Sequence, residues 1–84
     1  MERGSYMLIT PGMTVKGVDG AIGNVDEVVV DEGVDIFRGI VVSRGLISPR
    51  RALVPADDIV GVTDVEVDVR LTKADFEHLP VEAA

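Results

Sequence analysis

The seven residues Val65-Glu66-Val67-Asp68-Val69-Arg70-Leu71 alternate apolar and charged without a break. Successive side chains of a β-strand point to opposite faces, so a period of two separates the valines and leucine from the acids and arginine. A helix would scatter the same residues around its circumference. The stretch predicts a half-buried strand with Val65, Val67, Val69 and Leu71 facing a core, and Glu66, Asp68 and Arg70 facing water.

The rest of the chain reads in the same way. A strand is expected over 13–18, followed by Asp19-Gly20, a dipeptide suited to a type I′ hairpin turn because both central residues need positive φ. A second strand runs over 22–31, with Gly23 marking a bulge or a close approach of backbones. Residues 32–35 form the next turn, where Gly33 can take a left-handed conformation. Strands follow over 36–44, 51–54 and 59–62, with Pro55 ending the second because it cannot donate to a ladder and 56–58 forming a tight turn. Thr72 caps a short helix with Asp75 three residues on. Phe76 and Leu79 dock that helix, His78 lies exposed on it, and Pro80 stops it. The Met7-Leu8-Ile9 run packs locally.

Many short strands separated by turn signals define an all-β fold of five to six strands with a short C-terminal helix. At 84 residues the chain supports one core, and a small, partly open barrel is the expected solution because closure removes exposed edges. With no helix long enough for a crossover between strands, a parallel sheet is not expected. Residues 12–79 form the domain, 1–11 an N-terminal extension and 80–84 a loose tail. Hydrophobic residues are 46% of the chain but aromatics only 4%, so the core is aliphatic. There is no cysteine, which excludes disulfides and thiolate chemistry. No run approaches a membrane span or a signal peptide, so a cytoplasmic protein that does not insert into a membrane is expected.

The ordered series Gly12-Met13-Thr14-Val15, Asp19-Gly20-Ala21-Ile22-Gly23-Asn24-Val25, Val28-Val29-Val30-Asp31, Gly39-Ile40-Val41-Val42, Gly45 and Leu53-Val54-Pro55-Ala56-Asp57-Asp58-Ile59 resembles the PRC-barrel domains. That family includes the cytoplasmic domain of the photosynthetic reaction-centre H subunit, the C-terminal domain of a ribosome-maturation factor, and small stand-alone proteins. The resemblance implies a partly open β-barrel used for binding and assembly, with no shared catalytic residues. It also implies that Gly20, Gly23, Gly39 and Pro55 serve turns and packing. The chain shows neither the transmembrane helix of the first relative nor the partner domain of the second, so the stand-alone members are the expected match.

Candidate chemistry is sparse. Gly17, Gly20 and Gly23 lead into a strand and not a helix, so they do not form a dinucleotide or phosphate loop. Asp19, Asn24, Asp26 and Glu27 cluster in sequence without calcium-loop spacing, and adjacent strand residues face opposite ways. His78 is the sole histidine, and neither Ser43 nor Ser48 sits in a nucleophile elbow. Asp57-Asp58 reads as a turn pair whose side chains bond local backbone. No catalytic, cofactor-binding or metal-ligating residue is assigned, and the chain is not expected to be an enzyme. Asp19, Gly20, Gly23, Gly33 and Pro55 are assigned to turns.

Charge distribution is more informative. The net charge is −7, yet residues 36–56 contain no acid and four arginines: Arg38, Arg44, Arg50 and Arg51. That segment carries +4 and the remainder −11. Arg38 and Arg44 can be absorbed by cross-strand pairs with Asp26, Glu27 and Asp31, whereas Arg50 and Arg51 beside a loop are harder to absorb. The expected interaction patch is Arg44, Leu46, Ile47, Arg50 and Arg51. It fits a non-catalytic protein-binding or assembly module that self-associates, a homodimer in the simplest case. Overall acidity and few aromatics disfavour nucleic acid. An RNA- or ribosome-associated factor and a small-ligand or metal sensor remain the alternatives.

Overall fold

The computed structural model describes residues 8–31 and 33–82. Six strands, β1 (Thr14–Gly17), β2 (Gly20–Asp31), β3 (Ile36–Arg44), β4 (Arg50–Pro55), β5 (Ile59–Val62) and β6 (Glu66–Val69), precede one helix, α1 (Lys73–Glu77). They form a single sheet in the order β4-β3-β2-β1-β6-β5. The fold is all-β, a curled half-barrel with a short C-terminal helix, as the sequence predicts. Pro55 is the last residue of β4, which starts one residue earlier than expected, at Arg50.

The curl follows from irregularities in pairing. Register shifts fall between Val15 and Lys16, between Val25 and Glu27, between Val29 and Val30, and between Ile59 and Gly61. Each extra residue bends its strand and increases local twist, so the twelve-residue β2 can wrap the core. Gly23 is the close approach that the sequence marks. A Cβ there would lie 2.2 Å from the carbonyl oxygen of Ser43 on β3.

Two turns differ from expectation. β1 and β2 pair Gly17 with Gly20, so the hairpin loop is Val18-Asp19. Of Asp19 and Gly20 only Gly20 has positive φ, at 122°, which rules out a type I′ turn centred on Asp19-Gly20. In the next turn the left-handed residue is Asp35 (φ 53°), not Gly33. The Gly33 N–H instead donates to Asp31 Oδ1 at 3.1 Å, so an aspartate side chain organises the turn.

One ladder overturns the expectation of antiparallel pairing throughout. β1 and β6 run parallel, with Thr14 opposite Glu66 and Val15 opposite Val67. The missing crossover helix is replaced by the whole β2–β5 excursion, which is long enough to bring the chain back in the same direction.

The core is aliphatic apart from Phe76, the largest of its fully buried side chains. Val67 and Val69 are buried and Leu71 packs against the cluster, but Val65 is 66% exposed, so the alternating stretch enters the sheet one residue late. Ile9 and Met13 join the core while Leu8 is exposed. The expected packing of Met7 lies outside the described residues.

α1 forms for the predicted reason. The Thr72 hydroxyl accepts from the Asp75 N–H, and the Asp75 carboxylate accepts from the Thr72 N–H, both at 3.0 Å. Asp19 adds a long-range cap: its Oδ1 accepts from the Lys73 N–H at 3.0 Å. The tail expected to be loose is docked as far as residue 82. Val81 bridges to Ala52, and the Glu82 N–H donates to the Arg51 carbonyl at 2.7 Å. This covers part of the outer edge of β4. Among the described residues no helix is long and apolar enough to cross a membrane.

Candidate interaction site

The β3–β4 hairpin carries every residue of the expected patch. β3 ends at Arg44, the loop of 45–49 turns the chain, and β4 begins at Arg50-Arg51. At its tip Leu46 and Ile47 are 99% and 97% exposed. They are not core plugs, since no part of the sheet closes over them.

The arginines below them are engaged within the chain. Arg44 donates to the Ile22 carbonyl at 2.9 Å and lies 3.5 Å from Glu77. Arg50 donates to the Leu79 carbonyl and lies 3.8 Å from the other oxygen of Glu77. Arg51 Nε is 2.6 Å from Asp26 Oδ2, with Glu27 at 3.7 Å. Arg38 pairs with Asp31 at 3.1 Å, and that hydrogen bond is the main reason the Asp31 carboxyl titrates below its ordinary range.

Arg38 therefore meets the expected cross-strand partner. Arg44 instead finds a carboxylate on α1, and Arg50 and Arg51, which local sequence left without obvious partners, have them too. Glu77 was not legible as one of these partners, because it lies 33 residues beyond Arg44 and only the docking of Phe76 brings it back. Around the loop base two guanidiniums share one carboxylate. Arg51 faces two, so the three guanidiniums and three carboxylates of the loop base balance.

The other candidates do not converge. Asp19 caps α1, Asn24 Nδ2 donates to the Gly12 carbonyl at 3.1 Å, and Asp26 serves Arg51. Asp58 accepts from Arg70 Nε at 2.9 Å, so its partner is a neighbouring strand end and not local backbone, while Asp57 stands exposed beside it. His78 is exposed at the end of α1, as expected.

At the far end of the same hairpin lies a shallow cleft that sequence reasoning missed. It has a volume of about 190 Å³ and is lined by Ile36, Phe37, Arg38, Pro55, Ala56 and Asp57. Its residues come from the start of β3 and the end of β4, so only the register Gly39↔Pro55 reveals that they are neighbours. Ile36 is 49% exposed at its rim.

The fold and this loop define a small all-β module with a projecting apolar tip. No family model matches the chain, and no curated protein matches it.

Proposed function

We propose that this protein is a non-catalytic binding and assembly module of the PRC-barrel type, and that it associates with further copies of itself. The observation that carries the reading is the near-complete exposure of Leu46 and Ile47. Two adjacent aliphatics held clear of the surface by a hairpin gain roughly 1.5–3 kcal/mol each when a partner covers them, and an assembly built on such contacts buries them. The arginines below fix the hairpin through Glu77, Asp26 and Glu27, so the tip is presented with little ordering left to do on binding.

The same ion pairs weigh against the RNA-binding alternative. Phosphate contacts require guanidiniums free to displace counterions, and each arginine of the 36–56 segment already has a carboxylate. Sedimentation of the protein over a concentration series tests the proposal. The expected result is a mass that rises from the 8.9 kDa monomer with concentration, and that stays at the monomer in the Leu46→Ser/Ile47→Ser variant. A wild-type protein that remains monomeric up to millimolar concentration would falsify it.

A further inference from the structure

We infer that the outer edge of β5 is a docking site for an extended, lysine- or arginine-bearing segment of another protein, which joins the sheet as a further strand. The inference goes beyond the self-association reading and uses neither Leu46 nor Ile47.

The sheet ends on β4 at one side and on β5 at the other. Val81 and Glu82 cover part of the β4 edge, whereas β5 has β6 as its one neighbour in the sheet. The Thr63 N–H donates to the Glu66 carbonyl and the Arg70 N–H to the Asp58 carbonyl, both at 2.9 Å. In an antiparallel ladder the residue beside such a contact points its polar backbone the other way. Val62, opposite Val67, therefore directs its N–H and C=O to the open side. Ile59 already donates its N–H to the Ala56 carbonyl, so an added strand pairs at the Val62 end.

Charge defines what that strand carries. Residues 52–69 contain five acids and no lysine or arginine. Asp57 and Asp64 stand exposed at the two ends of β5, and Glu66 and Asp68 lie on the solvent face of β6. Arg70 pairs with Asp58, and Lys16 on β1 lies opposite Asp68. These two cations offset two of the five acids, which leaves a surplus of three. The loop base at β4 is balanced by contrast.

An open edge with unmatched carboxylates at both ends selects a cationic partner. A second copy does not fit. Paired about a two-fold axis with Val62 opposite Ile59, β5 would set Asp57 against Asp64 on both sides, and like charges directly opposite are destabilising. Acids in these places keep acidic chains off the edge and leave it open to basic ones. The mode is strand addition, in which backbone bonds give affinity and alternate side chains give specificity. Ile59 is buried and Val62 packs against the core, while Val60 is 65% exposed. The incoming strand therefore alternates apolar residues on the core side with lysine or arginine on the solvent side.

Two synthetic octapeptides test this in dilute protein at low salt, one alternating lysine with valine and the other glutamate with valine. The lysine peptide is expected to bind and to slow amide exchange at Val62, and the glutamate peptide is not. Asp57→Lys/Asp64→Lys is expected to weaken the lysine peptide by about tenfold or more in Kd. Asp57→Asn/Asp64→Asn provides a milder second variant, and circular dichroism with a melting curve checks that each folds. The Leu46→Ser/Ile47→Ser variant is expected to bind the peptide unchanged, whether or not the wild type self-associates. Binding that leaves Val62 exchange unaltered, or that both aspartate variants retain in full, is adhesion to an acidic surface and overturns the inference. Binding lost in the tip variant overturns it too. An absence of binding at low salt does the same, and leaves the acids as protection of the edge alone.

Discussion

Arg51 on β4 reaches across β3 to place its Nε 2.6 Å from Oδ2 of Asp26 on β2. Asp26 is the extra residue of the register shift between Val25 and Glu27. A bulge re-aims the side chain it carries, and here the carboxylate turns toward a strand with which β2 does not pair.

The pair is partly exposed, at 23% and 43%, so its coupling is expected to be modest. A double-mutant cycle with Arg51→Ala and Asp26→Ala should return about 0.5–1 kcal/mol at low salt. The value should shrink in high salt because exposed charges are screened. A coupling of zero at low salt would show that the pair does not stabilise the fold.

Reversing the charges should go further than neutralising them. Arg50→Glu/Arg51→Glu puts new carboxylates beside Glu77, Asp26 and Glu27, and removes the donor to the Leu79 carbonyl. The expected outcome is a lowered melting temperature even in dilute protein, where no partner is bound. A double variant that melts with the wild type would mean that these arginines are not structural.

At Gly23 there is no room for a side chain, since a Cβ would overlap the Ser43 carbonyl oxygen at 2.2 Å. Gly23→Ala must push β2 away from β3, and overpacking of this kind destabilises by about 1–3 kcal/mol. Gly33→Ala is the control: its Cβ would meet only Asp31 Oδ1, at 3.4 Å, and a change within roughly 0.5 kcal/mol is expected. Urea denaturation of both variants distinguishes a steric position from a merely exposed one.

The carboxylates divide by the direction of their titration. Arg38 holds Asp31 down, and the N–H and hydroxyl of Thr72 hold Asp75 down. Their contributions to stability are present above the ordinary aspartate range and are lost as pH falls through the lowered folded values. Glu66 behaves oppositely. A protonated Glu66 can hydrogen-bond the neighbouring Asp68 carboxylate, which is the main reason it titrates high, with partial burial second and Lys16 pulling weakly the other way. Its contribution is full below the ordinary glutamate range and is lost as pH rises through the raised value. Glu66→Gln should therefore raise the melting temperature near about pH 7 and leave it unchanged near about pH 3.5. Equal gains at both would mean that the charge on Glu66 is not what matters.

Local chemistry was readable wherever a few neighbouring residues decide the outcome. The alternation at 65–71, the Thr72–Asp75 capping box and the close approach at Gly23 each depend on short-range sterics or hydrogen bonds. What the sequence left unread depends on chain return. Val65 has a strand pattern but lies ahead of the residue where β6 begins pairing with β1. Asp35 takes the left-handed turn position because Asp31 organises the preceding residues. The partnership of Arg44 and Arg50 with Glu77, and the cleft between the start of β3 and the end of β4, exist only once helix and sheet are docked. At the loop itself the residues were legible, with Leu46-Ile47 standing out between arginines. Their exposure was not, because an aliphatic pair in a loop serves a core or a surface equally well until the surrounding chain is placed.

The parallel ladder between β1 and β6 has a consequence for biosynthesis. Val15 is opposite Val67, 52 residues later. At synthesis rates of roughly 5–20 residues per second, β1 is made about 3–10 s before its neighbour. During that interval the β1–β2 hairpin presents an open row of backbone donors and acceptors. The sheet is therefore completed last of all, by a strand made long after the one it joins.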